Sequence, residues 1–296
     1  MGVLPYSRVL SVVNNQIIPW FGNARLQDIT HFLVHEMYED KINEGLSSAY
    51  VRNIHTTLCM LLKVAKKWEL IQKDVASMIE PPRLKKKEMK VWDIEQINAF
   101  LKHTKHSRYH LAFVLACYTG MRKGEILALT WDDIDFDEKI INVNKTLYKA
   151  GERITVNEPK TPFSVRRIYF DSDIESALKR HKVKQNLESL KTGITDRSYL
   201  FLQEDGSLVE PTAINVMFTR YLNQLNLPRI RFHDLRHSHA TILLEMGVNP
   251  KLVADRLGHS SVKITLDVYS HIKPSMQKDL TEQFSAAMKT RNVTKM

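Results

Sequence analysis

Two consecutive prolines, Pro81-Pro82, constrain most strongly how this 296-residue chain can fold. Proline lacks a backbone N–H and restricts both its own φ and the residue before it, so the pair ends any helix that reaches it. Before them the chain reads as helix. Ile29, Phe32, Leu33 and Met37 keep a helical spacing, as do Val51, Ile54, Leu58, Leu61, Leu62 and Ala65. Gly45 closes one helix and Ser47 is a suitable cap for the next. After the prolines comes RLKKKEMK, with five basic residues and one acid. Such a run is a solvated linker by default, and beside a polyanion it can also track phosphates. The pattern predicts a helical domain over 1–82, a basic linker over 83–91 and a second domain over 92–296, and two domains suit the length.

The second region opens with Asp93 and Gln96, spaced as a capping box before INAFL. Leu111 to Tyr118 reads as a buried helix, Thr119-Gly120 interrupts it, and Arg122 opens a new one. After Trp131 the period changes to two. KIINVNKTLY, RITVNE and SVRRIYF read as three short strands. Helices are expected again at about 172–191, 212–225, 233–246, 250–257 and 262–268. Met276, Leu280, Phe284 and Met288 then recur every four residues, as on a tail helix from about 275. The fold expected is mainly α with a small antiparallel β-sheet.

Composition narrows the function little. A net charge of +10 and a pI of about 9.4 favour a polyanionic partner without naming one. Cys59 and Cys117 both sit in apolar helical patterns and read as buried, reduced thiols. No run of eighteen apolar residues occurs, and MGVLPYSRVL lacks the pattern of a secretory signal. A cytoplasmic protein with no membrane partner is expected.

The chemistry lies in a few separated residues. Arg122 and Glu125 lie three apart on one helix face, and alone they would be an ordinary surface ion pair. His233 and Arg236 share a helix start, His259 follows a glycine, and Tyr269 lies ten residues beyond His259. Guanidinium forks match the oxygens of a phosphate. Histidines donate hydrogen bonds or move protons near neutral pH, and a tyrosine hydroxyl can attack phosphorus. Together these groups can cut and rejoin a nucleic-acid backbone. His237 and His239 invite a metal reading, but the spacing of a helical zinc site and its ligating acid are absent.

In TGMRKGEILAL, HDLRH, LGH and Tyr269 the sequence resembles the tyrosine recombinases, the phage-integrase family, from about Val91 to His271 and more weakly from residue 4. The resemblance implies a helical core-binding domain followed by a mixed α/β catalytic domain. It implies that Arg122, Arg236, His233 and His259 bind the scissile phosphate of double-stranded DNA, that Glu125 orients Arg122, and that Tyr269 is the nucleophile. His237 would pack or support. Lys160, on the hairpin before SVRRIYF and followed by Thr161, best matches the family's catalytic lysine, with Lys145 and Lys149 as weaker alternatives. Neither a metal nor another cofactor is implied. Four protomers on two duplexes, a Holliday junction, and an excisionase or host DNA-bending protein as further partner are implied as well. The chain begins almost directly with the core-binding pattern, so the arm-binding domain of many phage integrases is expected to be missing, in a short member or by truncation. Two other classes stay open: a type IB topoisomerase, and a catalytically silent DNA-binding regulator on the same fold. The HxLRH histidine and the small helical first domain favour the recombinase.

Overall fold

The computed structural model describes residues 6–84, 89–158 and 164–269. The chain divides into two compact units, residues 1–87 and 88–296. Lys160, the tail stripe from Met276 to Met288, and residues 85–88 of the basic run lie outside the described residues.

The first unit is helical. Helix α1 (Tyr6–Val12) runs through a π-helical turn (Val13–Ile17) into α2 (Ile18–Phe21); α3 (His31–Asn43) and α4 (Ser48–Lys67) follow. Ser47 caps α4 as its sequence position suggests, its hydroxyl accepting from the Tyr50 N–H at 3.2 Å. The apolar face of α4 packs as read, with Val51, Ile54, Leu58, Leu62 and Ala65 buried. The face of α3 differs from the one its spacing suggested. Thr30 caps the helix from its side chain, so Ile29 precedes it; Phe32 is 70% exposed, while Val34, Met37 and Tyr38 form the buried stripe. Apolar spacing locates a helix, but the buried face is the one its neighbours pack against. Cys59 is only half-buried, with Sγ 3.5 Å from Nε2 of His55; Cys117 is buried, and both thiols are free.

The second unit begins with α5 (Ile94–His103), capped by the Asp93–Gln96 box. Then come α6 (His110–Thr119) and α7 (Lys123–Leu127). Five strands follow: β1 (Ile134–Asp135), β2 (Ile140–Val143), β3 (Thr146–Ala150), β4 (Arg153–Asn157) and β5 (Arg166–Tyr169). The run KIINVNKTLY is therefore two strands. Asn144 and Lys145 break it, because both side chains turn to Asp133: Nδ2 of Asn144 donates at 3.1 Å and Nζ of Lys145 lies 2.8 Å away. Strands β1, β2 and β5 form one antiparallel sheet, while β3 and β4 form a separate hairpin. Helices α8 (Ser172–Thr192), α9 (Pro211–Leu222), α10 (Asp234–Glu245), α11 (Pro250–Leu257) and α12 (Val262–Tyr269) complete the unit.

The core that positions the later helices is aromatic. Trp92, Phe100, Phe113, Phe218 and Phe232 are buried together, and the Phe100 and Phe218 rings meet edge-on with centroids 5.1 Å apart. Such pairs contribute about 0.5–1.5 kcal/mol beyond area burial. Trp92 also ties the start of the unit to α10: its backbone N–H donates to Oγ of Ser238 at 2.9 Å, and its indole N–H to the Pro228 carbonyl at 2.9 Å. Helix α10 is buried on most sides, which fixes the orientation of the residues it carries. Among the described residues, no helix is long and apolar enough to cross a membrane.

Candidate active site

Two helix-ending glycines set the frame. Gly120 ends α6 with φ +65° and Gly258 ends α11 with φ +69°, a left-handed backbone that glycine adopts without strain. At Gly120 a side chain has no room: a Cβ would lie 2.5 Å from Leu257 and 2.7 Å from the His239 ring. The turned carbonyls each hold an arginine. That of Gly120 accepts from Nη1 of Arg236 at 2.8 Å, and that of Gly258 accepts from Nη2 of Arg122 at 3.0 Å.

Arg122 stands at the N-cap of α7, and Glu125 holds it from within the helix. The carboxylate accepts from the Arg122 backbone N–H at 2.8 Å and from its Nη1 at 2.7 Å. This is no surface pair. Glu125 is 3% exposed, and it also receives both terminal nitrogens of Arg166 from β5, at 3.2 and 2.9 Å. Burial alone would raise the Glu125 pKa; hydrogen bonds and charge from Arg166 and Arg122 outweigh it and hold the carboxyl below its usual 4.5. The carboxylate is thus ionised and shared by two guanidiniums.

Arg166 was not singled out in the sequence, although a signal was present. In SVRRIYF it has the same strand parity as Ile168, which is 1% exposed, so it faces inward. Its Nε donates to the Arg256 carbonyl at 2.7 Å. The Arg256 side chain in turn donates to Nε2 of His239 at 3.3 Å and to the Tyr118 carbonyl at 3.2 Å. His239 completes the chain by donating from Nδ1 to the Cys117 carbonyl at 2.9 Å. Both ring nitrogens of His239 are occupied. It is a positioning residue, and among the described residues no three His, Cys, Asp or Glu side chains are grouped to hold a metal.

Helix α10 brings Arg236 inward and His233 to its mouth. Arg236 is 3% exposed, and its Nη2 has no hydrogen-bond partner among the described residues. Burial, then the charge of Arg122, disfavours its cation, with Glu125 offsetting part of this. A buried guanidinium with an unused N–H group and a second arginine nearby is a site short of one anion. His233 is more open and meets His237 edge-on at 5.2 Å. Partial burial, then His237 and Arg236, push the His233 pKa down to about 4.

His259 follows Gly258 and lies beside Thr265 of α12, with Nδ1 2.9 Å from the hydroxyl. If the hydroxyl donates to Nδ1, the ring proton sits on Nε2, which is then a neutral donor. Burial first, then Arg236 and Arg122, push the pKa of His259 down to about 3. Both histidines are therefore neutral at physiological pH. Helix α12 packs on α10 and α11, and Tyr269 is its last residue, which places the tyrosine's backbone on the element next to Arg236 and His259.

Of the candidate lysines, two are engaged elsewhere. Lys145 pairs with Asp133 and also donates to Thr130 at 2.9 Å; Lys149 pairs with Glu210 at 2.6 Å.

Residues 87–276 match the phage integrase family. The chain is 30% identical over 285 residues to the ICEBs1 integrase of Bacillus subtilis (strain 168), an alignment covering 94% of this chain and 76% of that protein. Its fold is similar to that of the Tn1549 transposon integrase in complex with transposon right end DNA. The TM-score is 0.80 at 23% identity, over 96% of this chain and 95% of that one. It is also similar to a lambda integrase in a tetramer bound to a Holliday junction, with a TM-score of 0.68 at 18% identity, over 90% and 72% of the two chains. At these identities the structural likeness is one of fold.

Proposed function

We propose, for a chain that belongs to the phage integrase family and is a site-specific DNA recombinase, that its buried arginine cluster binds the scissile phosphate and Tyr269 cuts the strand. The carrying observation is Arg236, buried with an unused Nη2, beside Arg122 and two neutral histidines. Arg122 and Arg236 take non-bridging oxygens, and His233 and His259 donate to them. These donors are fixed before substrate arrives and oppose the charge that grows on phosphorus in the transition state. The Tyr269 hydroxyl gives its proton to a neutral site histidine, and its oxygen forms the new bond to phosphorus as the bond to the 5′-oxygen breaks, leaving a 3′-phosphotyrosine. Lys160 gives a proton to the departing 5′-oxygen. A 5′-hydroxyl from a partner strand then reverses the step, and the covalent link conserves the bond energy. Glu125 and Arg166 touch no substrate; they hold Arg122.

On the same reading, residues 1–82 form a DNA-gripping domain, 83–91 a basic linker, and 92–296 the catalytic domain with a tail helix that links protomers. The working assembly is a tetramer on two duplexes in the cytoplasm, and an excisionase or a DNA-bending protein directs it.

The test mixes the protein with a duplex carrying the attachment site and resolves the product on a denaturing gel. Wild type should form a covalent adduct. Tyr269→Phe should lose it while shifting DNA in a native gel as wild type does, because only the nucleophilic oxygen is gone. Adducts persisting in Tyr269→Phe would move the nucleophile to another tyrosine. Supercoil relaxation without joined partners would favour the topoisomerase reading, and binding without any adduct the silent regulator.

A further inference from the structure

Beside the phosphate site lies a cleft of about 370 Å³, lined by Lys123 of α7, Asn215, Phe218 and Thr219 of α9, and the segment from Ile230 to His233. Its floor is apolar, with Phe218, Ile230 and Phe232 all buried in the core. Its rim carries hydrogen-bonding and cationic groups, and no carboxylate lines it. The rim cations differ. Arg231 is committed to Asp234, with two side-chain hydrogen bonds at 2.8 and 3.1 Å. The Lys123 side chain has no hydrogen bond or ion pair among the described residues, although it is partly buried. Burial lowers its pKa, and no neighbouring carboxylate offsets this.

A partly buried ammonium without a counter-ion is costly to keep, and the protein keeps this one at the edge of an open cleft. A solvated surface lysine would reach into water. Here the chain directs consecutive residues to two places: Arg122 to Glu125 and Gly258, Lys123 to the cleft. The two places meet at His233, which lines the cleft and belongs to the phosphate site. A ligand that satisfies both must carry repeated negative charge along an extended chain, as a nucleic-acid backbone does.

We propose that this cleft is a second phosphate subsite, in which Lys123 grips a backbone phosphate neighbouring the scissile one while Asn215 and Thr219 serve as neutral donors. The inference rests on the strand-transfer reading for which phosphate lies next door. Lys123 is a positioning residue: it fixes the register of the strand across Arg122 and Arg236, and reads no base.

The experiment compares the full chain with Lys123→Met, which keeps the apolar stem without the charge, and with Lys123→Arg. Affinity for a short duplex of mixed sequence is measured by fluorescence anisotropy over a range of salt. Lys123→Met should lower the slope of log affinity against log salt by about 1, the signature of one lost phosphate contact, and Lys123→Arg should restore it. Acetylation footprinting of the wild type should show Lys123 modified in free protein and protected by the duplex. An unchanged slope in Lys123→Met, or equal modification with and without DNA, overturns the proposal. A structural lysine would change stability without moving the slope, and Lys123→Arg would not rescue it. Neither readout needs strand cleavage. Failure of the Tyr269 adduct test would therefore sink the strand-transfer reading and leave this one to be decided by its own data.

Discussion

Replacing Glu125 by glutamine should damage the catalytic unit more than any other single polar change at the site. The carboxylate accepts four hydrogen bonds, from the Arg122 N–H and Nη1 and from both terminal nitrogens of Arg166, at 2.7–3.2 Å. Glutamine keeps one acceptor oxygen but turns an NH₂ toward a guanidinium. Arg166 and Arg236, both buried, and the half-buried Arg122 then lose the counter-charge beside them. Breaking one side of a buried, hydrogen-bonded ion pair costs about 3–5 kcal/mol. For a unit of about 200 residues that corresponds to a drop in melting temperature of about 6–20 °C. Urea unfolding of wild type and variant, followed by tryptophan fluorescence, measures the difference. Glu125→Gln combined with Arg166→Gln should lose less than the sum of the two single changes, since removing one orphaned cation relieves the other. The Glu125 pKa is lowered on folding, so its contribution is present above the unfolded value of 4.5 and is lost as pH falls through the lower folded value. A loss in Glu125→Gln under about 1 kcal/mol, as for an exposed pair, would refute the argument that this carboxylate neutralises a buried cluster.

Three further outcomes are expected. Arg122→Ala and Arg236→Ala should each slow adduct formation by about 10²-fold or more, as loss of a transition-state donor does, and near-wild-type cleavage by either would return that arginine to a structural role. Lys160→Ala should cleave ordinary DNA poorly yet recover on a duplex whose bridging 5′-oxygen is sulfur, which leaves without a proton; no recovery would move the general acid to another group. His239, buried and pushed down to about 4 by burial and Arg256, should make the fold acid-sensitive. Its ring is neutral in both states above pH 6.5, and below that the unfolded chain takes up the proton first. Stability should therefore fall by up to about 1.4 kcal/mol per pH unit down to about pH 4. His239→Asn should flatten that slope in urea titrations run between about pH 7 and about pH 5, and an equal slope in both proteins would contradict it.

What the sequence made legible follows from what each signal encodes. Caps are local, so Ser47, the Asp93–Gln96 box and the helix opening at Arg122 stand where their spacing puts them. Burial is not local. Phe32 read as core by its spacing and is exposed, because α3 turns Val34, Met37 and Tyr38 to the core instead. The split of KIINVNKTLY depends on Asp133, eleven residues before Asn144, and period alone cannot see that anchor. At the site, the separate motifs of Arg122, His233, Arg236 and His259 pointed to one chemistry. The groups that hold them did not stand out, because Arg166, Arg256 and His239 act through Glu125, backbone carbonyls and each other, over sequence distances of 17 to 138 residues.

That supporting chain explains why a cluster so rich in like charge can stay folded without a bound anion. Glu125 neutralises one guanidinium's worth of charge, and backbone carbonyls absorb much of what is left. Gly120 and Gly258 each turn a carbonyl toward an arginine, and Arg256 offers its own to Arg166. These acceptors cannot be protonated in the working range of pH, and they leave each guanidinium partly satisfied. The histidines lower the charge further by staying neutral, with pKa values of about 3 and about 4. A phosphate entering the cluster, as proposed, would meet the groups these arrangements leave unsatisfied. On the proposed reading it would supply the missing acceptor to Nη2 of Arg236, offset the repulsion between Arg122 and Arg236, and raise the proton affinity of both histidines. The free protein therefore tolerates the site, and on the proposed reading an anion would complete it, most fully when negative charge peaks on phosphorus.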